Sequence, residues 1–137
     1  MISRDLALRL RDAGLVWRPA AGDRFQFLRQ DMESTGTELF TVSDMTIEPH
    51  HYSTGTVLGF NGTTEWALDS VALEDALWFP REDQLREALR GTFERLERDD
   101  DGWRVTTVFR GDRREHSAPT AEDAYALAVL AEVDATR

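Results

Sequence analysis

The sequence predicts an α+β fold, a single domain in which helices pack on a mostly antiparallel sheet. Apolar residues recur at helical spacing near the start, in the middle and at the end of the chain. Short alternating runs bounded by turn residues fill the stretches between them. A length of 137 residues is that of one ordinary domain. We therefore expect one domain over 1–137, with a weak two-half organisation, 1–75 and 76–137, as the alternative.

The first predicted element is a helix over Arg4 to Ala13. Ser3 is a suitable N-cap, and Gly14 is placed to end the helix. The buried stripe of this helix is expected to comprise Leu6, Ala7, Leu10 and Ala13.

Strands are predicted next. Alternation places Phe25 and Phe27 on one face of a strand over Asp23 to Leu28. Further short strands are expected over 38–42 and 45–47, with Pro49 and the cluster 53–55 marking a turn.

A hairpin is the strongest local prediction in the middle of the chain. Asn61-Gly62 separates the apolar runs 56–60 and 63–68, and this pair favours the two-residue turn in which both residues have positive φ. Asp69 or Ser70 is expected to cap a short helical turn over 71–76.

The run from Ala76 to Gly91 reads as an apolar docking segment that turns into an amphipathic helix. Pro80 suits the first turn, because a missing N–H is tolerated there. Leu85 and Leu89 fall on one helical face, and Gly91 is expected to supply a left-handed stop.

The last third of the chain predicts a meander followed by a helix. The turn between the first two strands is expected at 99–102. Thr120 and Asp123 fit a capping box before a helix that is apolar over most of its circumference. The three predicted strands cover 92–98, 103–109 and 113–117.

Composition excludes several kinds of chemistry. The chain has no Cys, so disulfides, thiolate metal ligands and thiol catalysis are unavailable. All sixteen basic residues are Arg, so a mechanism that requires Lys is unavailable too. The net charge of −10 disfavours nonspecific binding to nucleic acid. No run is long enough to span a membrane and the first residues lack a signal-peptide pattern, so we expect a cytoplasmic protein that binds no membrane.

The histidines and the acidic turn predict no metal site. His50 and His51 are adjacent and point to opposite faces of a strand, so only one of them could join His116. We interpret all three as turn or edge-strand histidines. The twelfth residue from Asp99 is Arg110, where a calcium loop has a glutamate, so 99–102 is interpreted as a hairpin turn. We expect no cofactor.

The order helix–strand–strand–strand–helix after residue 80 is that of double-stranded-RNA-binding domains. Those domains meet phosphates with basic residues at the start of the last helix. Here Glu122 and Asp123 occupy that position, and residues 78–137 contain ten Arg against fourteen acids. A nucleic-acid-binding function is therefore the least favoured alternative.

Three stretches, 42–46, 60–70 and 76–85, resemble a family of small bacterial proteins of uncharacterised function, some of which carry the label "pilus assembly protein". The resemblance extends over nearly the whole chain. It implies no ATPase activity, because the chain has no Lys and no phosphate-binding glycine loop. The C-terminal part also resembles a short α/β sandwich module of phage proteins. Neither resemblance identifies a functional residue.

These observations favour a non-catalytic cytoplasmic interaction or accessory protein, and they leave a homo-oligomer open. The predicted partner surface comprises Trp66, Trp78 and Phe79, and the alternative interpretation is that Trp66 and Trp78 are core residues. The alternative is a small enzyme or small-molecule-binding protein whose site would use Asp44, Glu65 or His51.

Overall fold

A computed structural model gives the fold and confirms the α+β class. It describes residues 1–28, 39–42, 47–52, 55–60, 70–72 and 75–135, and for 47–52, 55–60 and 70–72 it describes the backbone alone. The chain divides into two compact units. Unit 1 comprises Met1–Val16 and Pro80–Arg137, and unit 2 comprises Trp17–Phe79. That both units form a single domain stays a prediction.

Unit 1 contains the described helices and one antiparallel sheet in the order β7-β8-β9. Its helices are α1 (Arg4–Ala13), α2 (Glu82–Leu89) and α3 (Ala121–Ala135). Its strands are β7 (Phe93–Asp99), β8 (Gly102–Phe109) and β9 (Asp112–Ala118). The predicted meander and its turn at 99–102 are confirmed, because the turn residues Asp100 and Asp101 join β7 to β8.

The caps of α1 follow the local sequence. The Ser3 hydroxyl accepts a hydrogen bond from the Leu6 N–H at 3.2 Å. Gly14 adopts φ 103° and donates its N–H to the Arg11 carbonyl, while the Leu15 N–H reaches the Leu10 carbonyl. The predicted bounds of this helix are therefore confirmed.

Helix α3 is the centre of unit 1 and packs against α1, α2, β8 and β9. The Thr120 hydroxyl accepts the Asp123 N–H at 3.2 Å, as the predicted capping box requires. The Asp123 carboxylate does not reach back to its own cap but accepts the N–H of Ser3, which ties the start of α1 to the start of α3. Burial around the helix is wide, since its buried residues are Ala124, Tyr125, Ala126, Ala128, Val129 and Leu130.

Unit 2 contains two further antiparallel sheets. The first has the order β2-β1-β6, formed by β2 (Phe40–Thr41), β1 (Arg24–Phe27) and β6 (Ala76–Phe79). The second has the order β3-β4-β5, formed by β3 (Ile47–Tyr52), β4 (Gly55–Phe60) and β5 (Ser70–Ala72).

Two predictions for unit 2 need correction. The helical turn expected over 71–76 is wrong at both ends, because Ser70–Ala72 pairs with β4 and Ala76–Phe79 pairs with β1. Asp75 has the 3-10 helical conformation, and residues 73–74 lie outside the described residues. Pro49 was expected in a turn, but it lies within β3 opposite Leu58. Because β3 pairs on one side only in the described sheet, its proline N atom is tolerated there. The Asn61-Gly62 turn lies outside the described residues.

The end of α2 also differs from expectation. Helix α2 begins after Arg81, whose N–H donates to the Gln84 side chain at 2.9 Å. Positive φ occurs at Arg90, with φ 53° and ψ −133°, and not at Gly91. The prediction of a left-handed stop at Gly91 is therefore wrong by one residue, and a non-glycine residue takes the unfavourable backbone conformation.

Candidate functional site

One face of the β2-β1-β6 sheet is aromatic. Phe25 lies in the middle of a row across three strands, because it is paired with Phe40 on β2 and with Trp78 on β6. The Phe25 and Phe40 rings are stacked with centroids 5.6 Å apart. We call the rings on this side the aromatic face: Trp17, Phe25, Phe27, Phe40 and Trp78.

A buried carboxylate fixes Trp17 against this face. The Asp23 side chain is 1% exposed, and its Oδ2 accepts hydrogen bonds from the Trp17 indole N–H at 2.9 Å and the Ala20 N–H at 3.0 Å. The Asp23 carbonyl also accepts the Val42 N–H, which joins the loop to β2. Because charge-assisted hydrogen bonds are short and strong, the Trp17 indole is held in one orientation.

Trp78 packs against this fixed indole. The Trp17 and Trp78 rings are nearly parallel, with centroids 6.2 Å apart and planes 9° apart. Trp78 is nonetheless only half-buried, and its Nε1 is buried with no hydrogen-bond partner in the described part of the chain. The described structure therefore presents a tryptophan that is rigidly supported and still partly open to solvent.

The exposed margin of the aromatic face comprises two half-buried rings, Phe40 and Trp78, which we call the aromatic rim. They flank the fully buried Phe25 on either side, so two strand spacings of roughly 4.8 Å separate their backbones. Leu39, next to Phe40 in the chain, is 38% exposed. Large apolar side chains that keep solvent contact side by side are typical of binding surfaces.

The structure places the residues of the predicted partner surface differently. Trp78 lies at the aromatic rim. Phe79 is 2% exposed, because the alternation of side chains along β6 turns it to the opposite face of the sheet, so its ring is not available to a partner in this structure. Trp66 lies outside the described residues.

Sequence reasoning missed Trp17, Asp23 and Phe40 as parts of this site. Phe40 was placed in a strand, but its register with Phe25 depends on pairing between segments far apart in sequence. Trp17 and Asp23 are six residues apart, and their hydrogen bond depends on the path of the loop between them. No spacing rule signals such a contact.

The titratable groups of unit 1 form no metal cluster in the described structure. Among the side chains described, no three His, Asp or Glu residues come together in a way that could hold a metal ion. His116 is half-buried on β9 opposite Val105, and its Nε2 has no partner among the described residues. Burial, with a smaller contribution from the Arg114 charge, lowers the pKa of His116. The side chains of His50 and His51 are not described, although both residues lie on β3.

A hollow of about 460 Å³ lies at the hairpin end of the unit 1 sheet. Two of its charged groups are engaged within the sheet itself. The Asp99 carboxylate accepts the Asp101 N–H at 3.0 Å, and Arg104 pairs with Glu97 at 3.1 Å and with Glu115 at 3.8 Å. The lining residues are Asp99, Asp100, Asp101, Arg104, Ser117, Ala118 and Pro119.

Comparisons of the chain with protein-family models, with curated proteins and with solved structures found no match. In the described part of the chain, none of the helices combines the length and the apolar character that crossing a membrane requires.

Proposed function

We propose that this protein is a non-catalytic accessory protein of the cytoplasm that binds a protein partner at the aromatic rim. The observation that carries the proposal is the half-exposed Trp78 stacked on a Trp17 that Asp23 holds in place. Tryptophan is among the residues that contribute most to binding energy at protein interfaces. A supported ring loses little conformational freedom on binding, so more of its contact energy contributes to affinity.

The residues around Trp78 favour binding of an apolar group of the partner. Phe40 provides further solvent-accessible apolar surface next to the buried ring of Phe25. Nearby, the carboxylate of Asp23 is buried and engaged by two donors, so it serves to position Trp17.

The test is a quantitative pull-down from an extract of the organism that encodes the protein. We expect one partner, in roughly stoichiometric amount, to be retained by the unaltered chain and depleted at least fivefold by Trp78→Ala. Trp103→Ala is the matched control, because Trp103 is also a half-buried tryptophan, packed against Arg98 in unit 1. Circular dichroism and thermal melting check that both variants are folded.

Two outcomes would contradict the proposal. A partner retained equally by Trp78→Ala and Trp103→Ala would move the binding surface away from the aromatic rim. A folded chain that retains no partner at all would remove the accessory role. The competing function, small-molecule binding at Asp44, Glu65 or His51, stays a prediction because the structure describes none of these side chains.

A further inference from the structure

The two units carry very different charge. Residues 17–79 contain three Arg against ten Asp and Glu, a net charge of −7. The rest of the chain contains thirteen Arg against sixteen acids, a net charge of −3. Most of the excess charge of the protein therefore belongs to the unit that contains the aromatic face.

Several cations of unit 1 form ion pairs with neighbouring acids. On its sheet, Arg104 pairs with Glu97 and Arg113 pairs with Glu94, each at 3.1 Å. In unit 2, ten acids stand against three Arg in the same segment, so at least seven acidic charges have no cation of that segment to match them. An excess of this size produces a negative potential that extends over about a Debye length, roughly 8 Å at physiological ionic strength.

We propose that the occupant of the aromatic rim is a basic protein segment, in which an apolar side chain is flanked by Arg or Lys. This inference rests on the proposed function and specifies its partner. The apolar side chain packs on Phe40 and Trp78, and the flanking cations are attracted by the net negative charge of residues 17–79. Arginine suits such a segment, because its planar guanidinium stacks on aromatic rings and its charge is attracted to an acidic unit.

The same charge argues against a second copy of the chain at this rim. Two copies that met there would each bring a unit with a net charge of −7, and like charges across an interface lower affinity. A basic segment instead gains from the potential in both its association rate and its affinity.

The test uses random twelve-residue peptides displayed on phage and selected against the immobilised full chain. We expect the selected peptides to combine at least two Arg or Lys with an aromatic or large aliphatic residue. Their synthetic forms should bind the chain with an affinity that falls as salt rises, and Trp78→Ala should weaken that binding at least tenfold. Trp78→Phe, which keeps a ring, serves as the second variant if the alanine variant is unfolded.

Two substitutions at Leu39 test whether binding depends on the sign of the charge near the aromatic rim. Leu39 is 38% exposed beside Phe40, so both Leu39→Arg and Leu39→Glu remove the same side chain from an accessible position. At low ionic strength, we expect Leu39→Arg to weaken binding of the selected basic peptides by about twofold and Leu39→Glu to strengthen it by a similar factor, as expected for unit charges roughly 10 Å apart in water.

The outcomes separate this inference from the proposed function. Selected peptides that depend on Trp78 but are neutral or acidic would overturn the inference and leave the proposed function standing. Selected peptides that are insensitive to Trp78→Ala, or none at all, would overturn both. A dimer in solution that Trp78→Ala dissociates would identify a second copy as the occupant, and would also overturn the inference.

Discussion

The described core of unit 2 is built largely from aromatic rings, whereas unit 1 buries mainly aliphatic side chains and alanines. In unit 2, Phe25 contacts Trp17, Phe27 and Phe40 at centroid distances of 5.6 to 5.7 Å. In unit 1, α3 brings small side chains such as Ala124 and Ala128 to its buried surface, which allows other elements to approach closely. Unit 2 therefore buries apolar surface mainly with large aromatic rings. Unit 1 buries it mainly by close packing of a helix with small side chains against its neighbours.

The edge strands of the unit 1 sheet and of the β2-β1-β6 sheet also differ, being charged in the first and aromatic in the second. Strand β9 lies at an edge of the described unit 1 sheet and exposes Arg113, Arg114 and Glu115, which is a pattern that discourages pairing with other strands. The β2-β1-β6 sheet instead keeps the half-buried rings of Phe40 and Trp78 at its margins. The described sheet of unit 1 therefore has a charged edge, whereas the β2-β1-β6 sheet has a partly exposed aromatic ring on each edge strand.

The largest expected effect tests the reliance of unit 2 on its rings. Phe25→Ala should lower the free energy of unfolding by about 3–5 kcal/mol, because Phe25 is fully buried at the centre of the aromatic face. The matched change in unit 1 is Phe93→Ala, which removes a half-buried ring tilted by 40° against the Tyr125 ring and should cost about half as much. Urea unfolding measures the free energy of unfolding of both variants. Equal losses would contradict the idea that unit 2 depends more on its aromatic rings than unit 1 does.

A smaller effect is expected at the support of Trp17. Asp23→Ala removes the acceptor of two hydrogen bonds, and leaving buried donors unpaired should cost about 2–3 kcal/mol. Asp23→Asn keeps an acceptor oxygen and should recover part of this loss. Asp12→Ala in unit 1 is the control, since Asp12 forms an exposed pair with Arg11 and should change stability by less than about 0.5 kcal/mol. Thermal melts rank the three variants by their loss of stability.

Much of unit 1 could be predicted from the sequence because its signals are local. Ser3 and Gly14 bound α1 by hydrogen bonds within a few residues of themselves, and Thr120 does the same for α3. The turn at 99–102 is likewise encoded by adjacent acids and a glycine. Such elements need no knowledge of distant partners.

Unit 2 was harder to predict because distant pairing decides its structure. Ala76–Phe79 is a short apolar run that could join a helix or a strand, and its antiparallel pairing with β1, some fifty residues earlier, settles the matter. The same pairing decides the candidate site. It turns Trp78 to the aromatic face and Phe79 to the opposite face, a distinction that a list of aromatic residues cannot make.

The unexpected backbone at Arg90 supplies the next prediction. Its φ of 53° and ψ of −133° are favourable only for glycine, so Arg90→Gly should relieve strain and raise the free energy of unfolding by about 1 kcal/mol, net of the added chain entropy. Arg90→Ala is the control, because it removes the guanidinium but keeps the Cβ atom, and it should leave stability nearly unchanged. Thermal melts measure both. If alanine stabilised the chain as much as glycine, the long side chain and not the backbone would be the source of the cost.

The smallest expected effect concerns His116, the half-buried histidine of unit 1. Burial lowers the pKa of His116 below its ordinary value of 6.5 in the folded chain, with a smaller contribution from Arg114, so the unfolded chain binds the proton more readily. The stabilising contribution of the neutral ring is therefore present above about pH 6.5 and is lost as the pH falls through the folded pKa. Melting temperatures of the unaltered chain should decline gently from pH 7 to pH 5. His116→Gln should flatten that decline, because its side chain does not titrate. If the melting temperature of His116→Gln declined with pH as steeply as that of the unaltered chain, other titratable groups would be responsible for the decline, and the prediction for His116 would be wrong.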